Sequence, residues 1–186
     1  QEIMLLIFRD FLTDYNSRSL SKIIGISHVG AYKILKKLEK NEILKSKKIG
    51  NTNVYSINLD NPICSKFIEM ALVIQSQNYR RWINEFEKFE RKSNFIILFG
   101  SILKNEEKAR DVDLYVVGNK SSYDEIKNLV DAKNKILLKK IHLIFQTPND
   151  LKKDLHNRNK VVLDIIKKGI VLFGQERFMG DFIKLR

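Results

Sequence analysis

Apolar residues keep two different rhythms along this chain. Between Pro62 and Phe89, the residues Ile63, Phe67, Met70, Ile74, Trp82, Phe86 and Phe89 recur near helical spacing, with an interruption at Gln77 and Asn78. That period predicts one long helix over 62–92. Asn61 can cap it, and Pro62 suits the first helical position, where a missing N–H is no loss. Its apolar side chains either pack between flanking domains or form a seam between two copies of the chain. From Phe95 onward, β-like apolar runs alternate with helical ones, the pattern of a mixed α/β domain. "NFIILFG" is a strand pattern ended by Gly100. In "DVDLYVV", alternation places Asp111, Asp113 and Tyr115 on one face and Val112, Leu114 and Val116 on the other.

The segment before Pro62 reads as short helices followed by a hairpin. Leu20–Ile24 form a helix that Gly25 breaks, and Ser27 offers a hydroxyl to cap the next one. In that second helix Ala31, Leu35 and Leu38 share a face, with Ile34 at its border. The opposite side and the first turn carry His28, Tyr32, Lys33, Lys36 and Lys37. Two helices joined by a turn at Gly25 make a helix-turn-helix, and a second helix with an apolar back and a basic front fits a major groove. "ILKSKKIG" and "NVYSIN" read as strands joined near Gly50-Asn51-Thr52, since Gly and Asn tolerate the positive φ of tight hairpins. Lys45, Lys47 and Lys48 lie on or beside that hairpin and Asn51 at its tip, in position to meet phosphates. The chain is thus expected to divide into residues 1–60, a connecting helix over 61–92, and a third zone over 93–186.

Composition narrows the setting. A length of 186 residues suits one large domain or two small ones, and 44% hydrophobic residues exclude wholesale disorder. No apolar run is long enough to span a bilayer, and no secretory signal pattern opens the chain. Gln1 is an unusual first residue, so the native start is expected upstream. Cys64 is the only cysteine, which excludes an intramolecular disulfide and a cysteine-rich zinc site. A buried thiol in a reducing cytoplasm is the expectation, with no membrane partner. The net charge of +12 favours a polyanionic partner, nucleic acid before membrane, against the alternative of a general solubility bias.

Such a basic chain nevertheless places Asp111 and Asp113 together. Two carboxylates on one strand face raise each other's pKa unless a cation sits between them. Mg²⁺ is the natural candidate, because it takes oxygen ligands and shares them with substrate phosphates. Gly100 allows a sharp turn and close approach of a ligand, and Ser101 adds a hydroxyl. If a helix begins there, its free N–H groups favour an anion such as a triphosphate. A turn for phosphates beside a strand for the metal is the equipment of phosphoryl or nucleotidyl transfer.

Two resemblances sharpen this reading. Residues 1–60, including "LKKLEKNEIL", resemble winged-helix domains of bacterial and archaeal transcription regulators. Asn41 stands where such families often carry Gly, and Asn also accepts a left-handed turn. Gly100-Ser101 followed by Asp111-Val112-Asp113 resembles the signature of the polymerase-beta-like nucleotidyltransferase superfamily, especially its minimal prokaryotic members. That resemblance extends from Ser93 to Phe178 and includes "IIKKGIVLFGQERF". Together they imply an α+β protein: an N-terminal winged helix-turn-helix, a connecting long helix, and a C-terminal nucleotidyltransferase-like α/β domain with a short mixed sheet.

The implied chemistry is transfer of a nucleoside monophosphate from an NTP, with Gly100 and Ser101 on the phosphates and Asp111 and Asp113 as catalytic ligands of Mg²⁺. Lys104 stands where small members often have a basic residue, which implies a phosphate contact. Double-stranded DNA and a nucleotide are the expected partners, with a homodimer or a helical partner of toxin–antitoxin type beside them. One departure stands out. Active members usually carry a third acidic residue on a later strand, and the candidate strand "KILLKKIHLIFQT", Lys135–Thr147, has no Asp or Glu. His142 stands about where it is expected, either as a general base or as a packed sheet histidine, and imidazole suits Mg²⁺ poorly. Ile102, Leu103 and Asn105 also replace the family's small residue and glycine, implying a turn less able to wrap a triphosphate. Two functions compete: a Mg²⁺-dependent nucleotidyltransferase carried on a DNA-binding module, and a DNA-binding transcriptional regulator whose degenerate transferase fold senses nucleotide or mediates dimerisation.

Overall fold

The computed structural model describes residues 2–183, so Gln1 and the last three residues of the third expected zone lie outside the described residues. The chain separates into two compact units, 1–71 and 72–186.

In the first unit, α1 (Glu2–Arg9), α2 (Ser17–Ile24) and α3 (His28–Lys40) precede an antiparallel hairpin of β1 (Leu44–Ile49) and β2 (Thr52–Ile57). Local capping explains where the helices start. The Asn16 side chain accepts from the Ser19 N–H at 2.9 Å while Ser19 Oγ accepts from the Asn16 N–H at 3.0 Å, a reciprocal cap on α2. Gly25 ends α2 at φ 74, and Ser27 Oγ accepts the Gly30 N–H at 3.0 Å to start α3. Leu20, Ala31 and Leu35 are fully buried, whereas Leu38 is half-buried and Ile34 exposed. The hairpin turns at Gly50, φ 58. One expectation is corrected. The left-handed residue after α3 is Glu42, φ 57, while Asn41 has φ −87 and donates its N–H to the Lys37 carbonyl. The Glu42 carbonyl is then held by the side-chain amides of Asn58 and Asn61, at 2.8 and 3.1 Å.

The helix expected over 62–92 is broken where its pattern is interrupted: α4 (Pro62–Ser76), a 3-10 turn (Gln77–Tyr79) and α5 (Arg80–Glu90). Ser76 Oγ donates back to the Val73 carbonyl at 2.7 Å, a local bond that competes with the helical ladder there. Asn61 Oδ1 accepts from the Ile63 N–H at 3.0 Å, the anticipated cap. The Cys64 thiol is buried, and its pKa is pushed up to about 11 by desolvation, as an inert structural thiol should be. No helix among the described residues is long and apolar enough to cross a membrane.

The second unit is built on a four-stranded mixed sheet. After β3 (Phe95–Phe99) and β4 (Asp111–Val117) come α6 (Tyr123–Ile136), β5 (Lys140–Gln146), α7 (Pro148–His156), α8 (Lys160–Lys168), β6 (Ile170–Phe173) and α9 (Gln175–Ile183). The spatial order is β5-β4-β3-β6, with β4 parallel to β5 and β3 antiparallel to both β4 and β6. Val112, Leu114 and Val116 share a core with Trp82, Phe86 and Phe89 of α5 and Ile126 and Val130 of α6. On the other face Phe95 packs edge-on against Phe178 of α9, ring centroids 5.2 Å apart, and Tyr115 donates to Gln146, which donates to Asp154 of α7.

The expected strand Lys135–Thr147 is shorter than its composition suggests. Lys135 and Ile136 complete α6, and β5 begins at Lys140. The Asn134 side chain accepts the Ile141 N–H at 2.7 Å, fixing how the chain enters the strand. Register then matters: with β5 starting there, Asp113 lies beside His142 and Asp111 beside Lys140.

Candidate metal and nucleotide site

The site sits at one end of the sheet, where β3 ends and β4 and β5 begin. Phe99 leaves β3 in extended conformation, and Gly100 adopts φ 82 to start a 3-10 turn, Gly100–Leu103. The Lys104 and Asn105 N–H groups close this turn on the Ser101 carbonyl, at 3.0 and 3.2 Å. The expected helix start is therefore a single tight turn. Because Phe99 is registered against Asp113, Gly100 lies directly over that side chain, and a Cβ at Gly100 would collide with the Asp113 carboxylate. Glycine is demanded here twice, by the positive φ and by the close approach.

Asp111 and Asp113 point to the same face, as alternation requires, and both are half-buried. His142 Nδ1 stands 3.3 Å from Asp111 Oδ2 and 3.7 Å from Asp113 Oδ1. One ligand atom from each of the three residues lies within 4.8 Å of the others. Burial pushes the Asp113 carboxyl above its ordinary range, the neighbouring Asp111 charge pushes it further the same way, and His142 offsets part of this. A cation between the two carboxylates would relieve both effects. Of the two readings of His142, the packed one does not hold: its side chain is 63% exposed and faces both carboxylates. The sequence signal was its place at period two along β5. What made that decisive was the parallel register with β4.

The sequence-predicted residues divide cleanly. Gly100, Ser101, Asp111 and Asp113 come together at the sheet end, whereas Lys104 lies exposed just past the turn. A cleft of about 590 Å³ elsewhere in this unit, lined by Arg81, Trp82, Glu106 and Leu138, does not include the carboxylates. In the first unit His28, Tyr32 and Asn51 line one cleft of about 350 Å³, so the first turn of α3 and the hairpin tip meet there. His28 Nε2 is 2.9 Å from Ser17 Oγ. Lys33, Lys37, Lys47 and Lys48 are exposed, and Lys36 is held 2.7 Å from Glu39.

The donor set fits a divalent cation: two carboxylate oxygens and an imidazole nitrogen converge on one sheet face, beside the Gly100–Leu103 turn. Residues 82–178 match the family model described as "Polymerase beta, Nucleotidyltransferase". No curated protein and no solved structure matches the chain.

Proposed function

The chain belongs to the polymerase beta nucleotidyltransferase family, and we propose that it transfers a nucleoside monophosphate from an NTP to a macromolecular acceptor, carried on a DNA-binding N-terminal unit. The observation that supports this most is the packing of Gly100 onto Asp113, which joins the phosphate turn and the paired carboxylates into one site. Mg²⁺, or another divalent cation, held by Asp111 and Asp113 would neutralise phosphate charge and polarise the phosphoryl oxygens. The chain's own groups do the rest. Gly100 lets the turn pack directly on Asp113, so that a triphosphate held at the turn would lie beside the carboxylates. The Ser101 hydroxyl can donate to it, and Lys104, exposed just past the turn, can serve as a counter-charge. An acceptor hydroxyl oxygen attacks the α-phosphorus and gives up its proton to water, the bond to the α–β bridging oxygen breaks, and pyrophosphate leaves with the electron pair. The half-buried carboxylates hold the reacting groups in place, and placement supplies much of catalysis for such a transfer.

The test is labelling of a macromolecule in cell extract by radiolabelled NTP and a divalent cation. Wild type is expected to label and the Asp111→Asn/Asp113→Asn double variant to lose the signal. Equal labelling by both proteins would end the enzymatic reading.

A second reading is favoured by one specific observation: β5 carries no carboxylate. On it, the chain is a DNA-binding regulator of winged-helix type whose transferase fold binds nucleotide without turnover. Either way the DNA face is proposed to be the front of α3 and the hairpin, through His28, Tyr32, Lys33, Lys36, Lys37, Lys47, Lys48 and Asn51. Phosphate contacts release counterions, so duplex affinity is expected to fall steeply with salt. Charge reversal at Lys33 and Lys37 is expected to lower affinity by about tenfold or more at low salt and to flatten the salt slope. Fluorescence anisotropy with a random duplex reads both. An unchanged affinity would remove these lysines from the interface.

A further inference from the structure

We infer that His142 is the third protein ligand of the cation and that the nitrogen donor therefore shifts the site's preference from Mg²⁺ toward first-row transition ions, of which Mn²⁺ is the mildest case and the probe for the test. This deepens the proposed metal-dependent reading and rests on it. Parallel pairing of β4 and β5 puts His142 in register with Asp113 on the face that carries Asp111. Its Nδ1 is 3.3 and 3.7 Å from one oxygen of each carboxylate. Charge-assisted hydrogen bonds run at ~2.7–2.9 Å, so neither separation is a good one. Adjacent ligands of an octahedral ion at ~2.1 Å stand roughly 3 Å apart, and the observed spacing is close to that arrangement. The imidazole is exposed, outside the sheet core, with Nδ1 already on the side of both carboxylates.

Chemistry then sets the preference. Mg²⁺ is hard and gains little from imidazole, whereas ions later in the first row accept nitrogen readily. Two carboxylates and the phosphate oxygens of a nucleotide keep the site in the oxygen-rich, octahedral class that suits Mn²⁺. With Nδ1 committed to the ion, His142 is a ligand and not the base that deprotonates the acceptor.

The experiment uses the full chain with Mn²⁺ and Mg²⁺ as probes, read by calorimetry and by pulsed electron paramagnetic resonance on bound Mn²⁺. Wild type is expected to bind Mn²⁺ at least tenfold tighter than Mg²⁺, with nitrogen coupling from one imidazole in the spectrum. His142→Ala should weaken Mn²⁺ by about tenfold, leave Mg²⁺ nearly unchanged and remove the nitrogen coupling. His142→Asp should strengthen Mg²⁺ binding above wild type and narrow the difference between the two ions. Because His142 is exposed, both variants are expected to fold, and circular dichroism checks this. Equal affinities for the two ions, or unchanged Mn²⁺ binding in His142→Ala, would overturn the inference while leaving a carboxylate metal site standing. Binding of neither ion would overturn the metal reading itself.

Discussion

Asp113→Asn is expected to lower metal-dependent nucleotidyl transfer by about a thousandfold, the several kcal/mol that a positioned cation contributes, while making the metal-free protein more stable. The two effects have one cause. In the folded protein, burial and the Asp111 charge raise the Asp113 pKa, with His142 offsetting part. A carboxyl whose folded pKa lies above its unfolded one contributes stability below the unfolded value, and that contribution is lost as pH rises through the folded value. Near neutrality the ionised group is therefore a cost in the absence of metal, and Asn removes it. The melting temperature of metal-free Asp113→Asn should exceed wild type by on the order of 2 °C at pH 7, with the advantage shrinking as pH falls into the ordinary carboxylate range. Adding a divalent cation should reverse the order, because only wild type gains binding energy. Thermal melts at several pH values, with and without metal, check this. A metal-free variant less stable than wild type at every pH would show that the carboxylate is a structural anchor.

Gly100→Ala is the second large effect. Its φ of 82 costs a non-glycine residue roughly 1 kcal/mol or somewhat more. The new methyl would also occupy the place of the Asp113 carboxylate, which must swing away from Asp111 and His142. Misplacing a reacting group by about 1 Å costs on the order of a hundredfold, so transfer and metal binding should fall by at least that much. Gly25→Ala is the control. It has φ 74 in open space, so it should lose the same backbone term from stability and leave metal affinity untouched. Calorimetry on both variants separates strain from collision. Equal metal affinity in Gly100→Ala and wild type would mean that Asp113 is not the ligand.

Several features were legible because they depend on the nearest few residues. Alternation assigned the faces of β4, since the pleat repeats every two residues whatever lies around it. Ser27 and Gly25 bracketed the turn between α2 and α3 because capping and left-handed closure are satisfied by groups within one turn. The interruption at Gln77 and Asn78 was visible as well, but one continuous helix over 62–92 was expected across it, and the structure breaks the helix there. Where those readings slipped, a side chain beyond the nearest turn had decided. β5 begins at Lys140 because Asn134 captures the Ile141 N–H, and Glu42 takes the left-handed turn while Asn58 and Asn61 hold its carbonyl.

By itself the sequence determined the ingredients of the site: a Gly-Ser turn after one strand, two carboxylates on one face of the next, and a histidine in a run without acids. Tertiary structure decided that they form one cluster. The register between β4 and β5 spans the whole of α6, and the collision that reserves Gly100 is with a side chain thirteen residues on, delivered by antiparallel pairing. Such juxtapositions come from hydrogen-bonded strand alignment and the shared core behind it, and local periodicity carries no information about either.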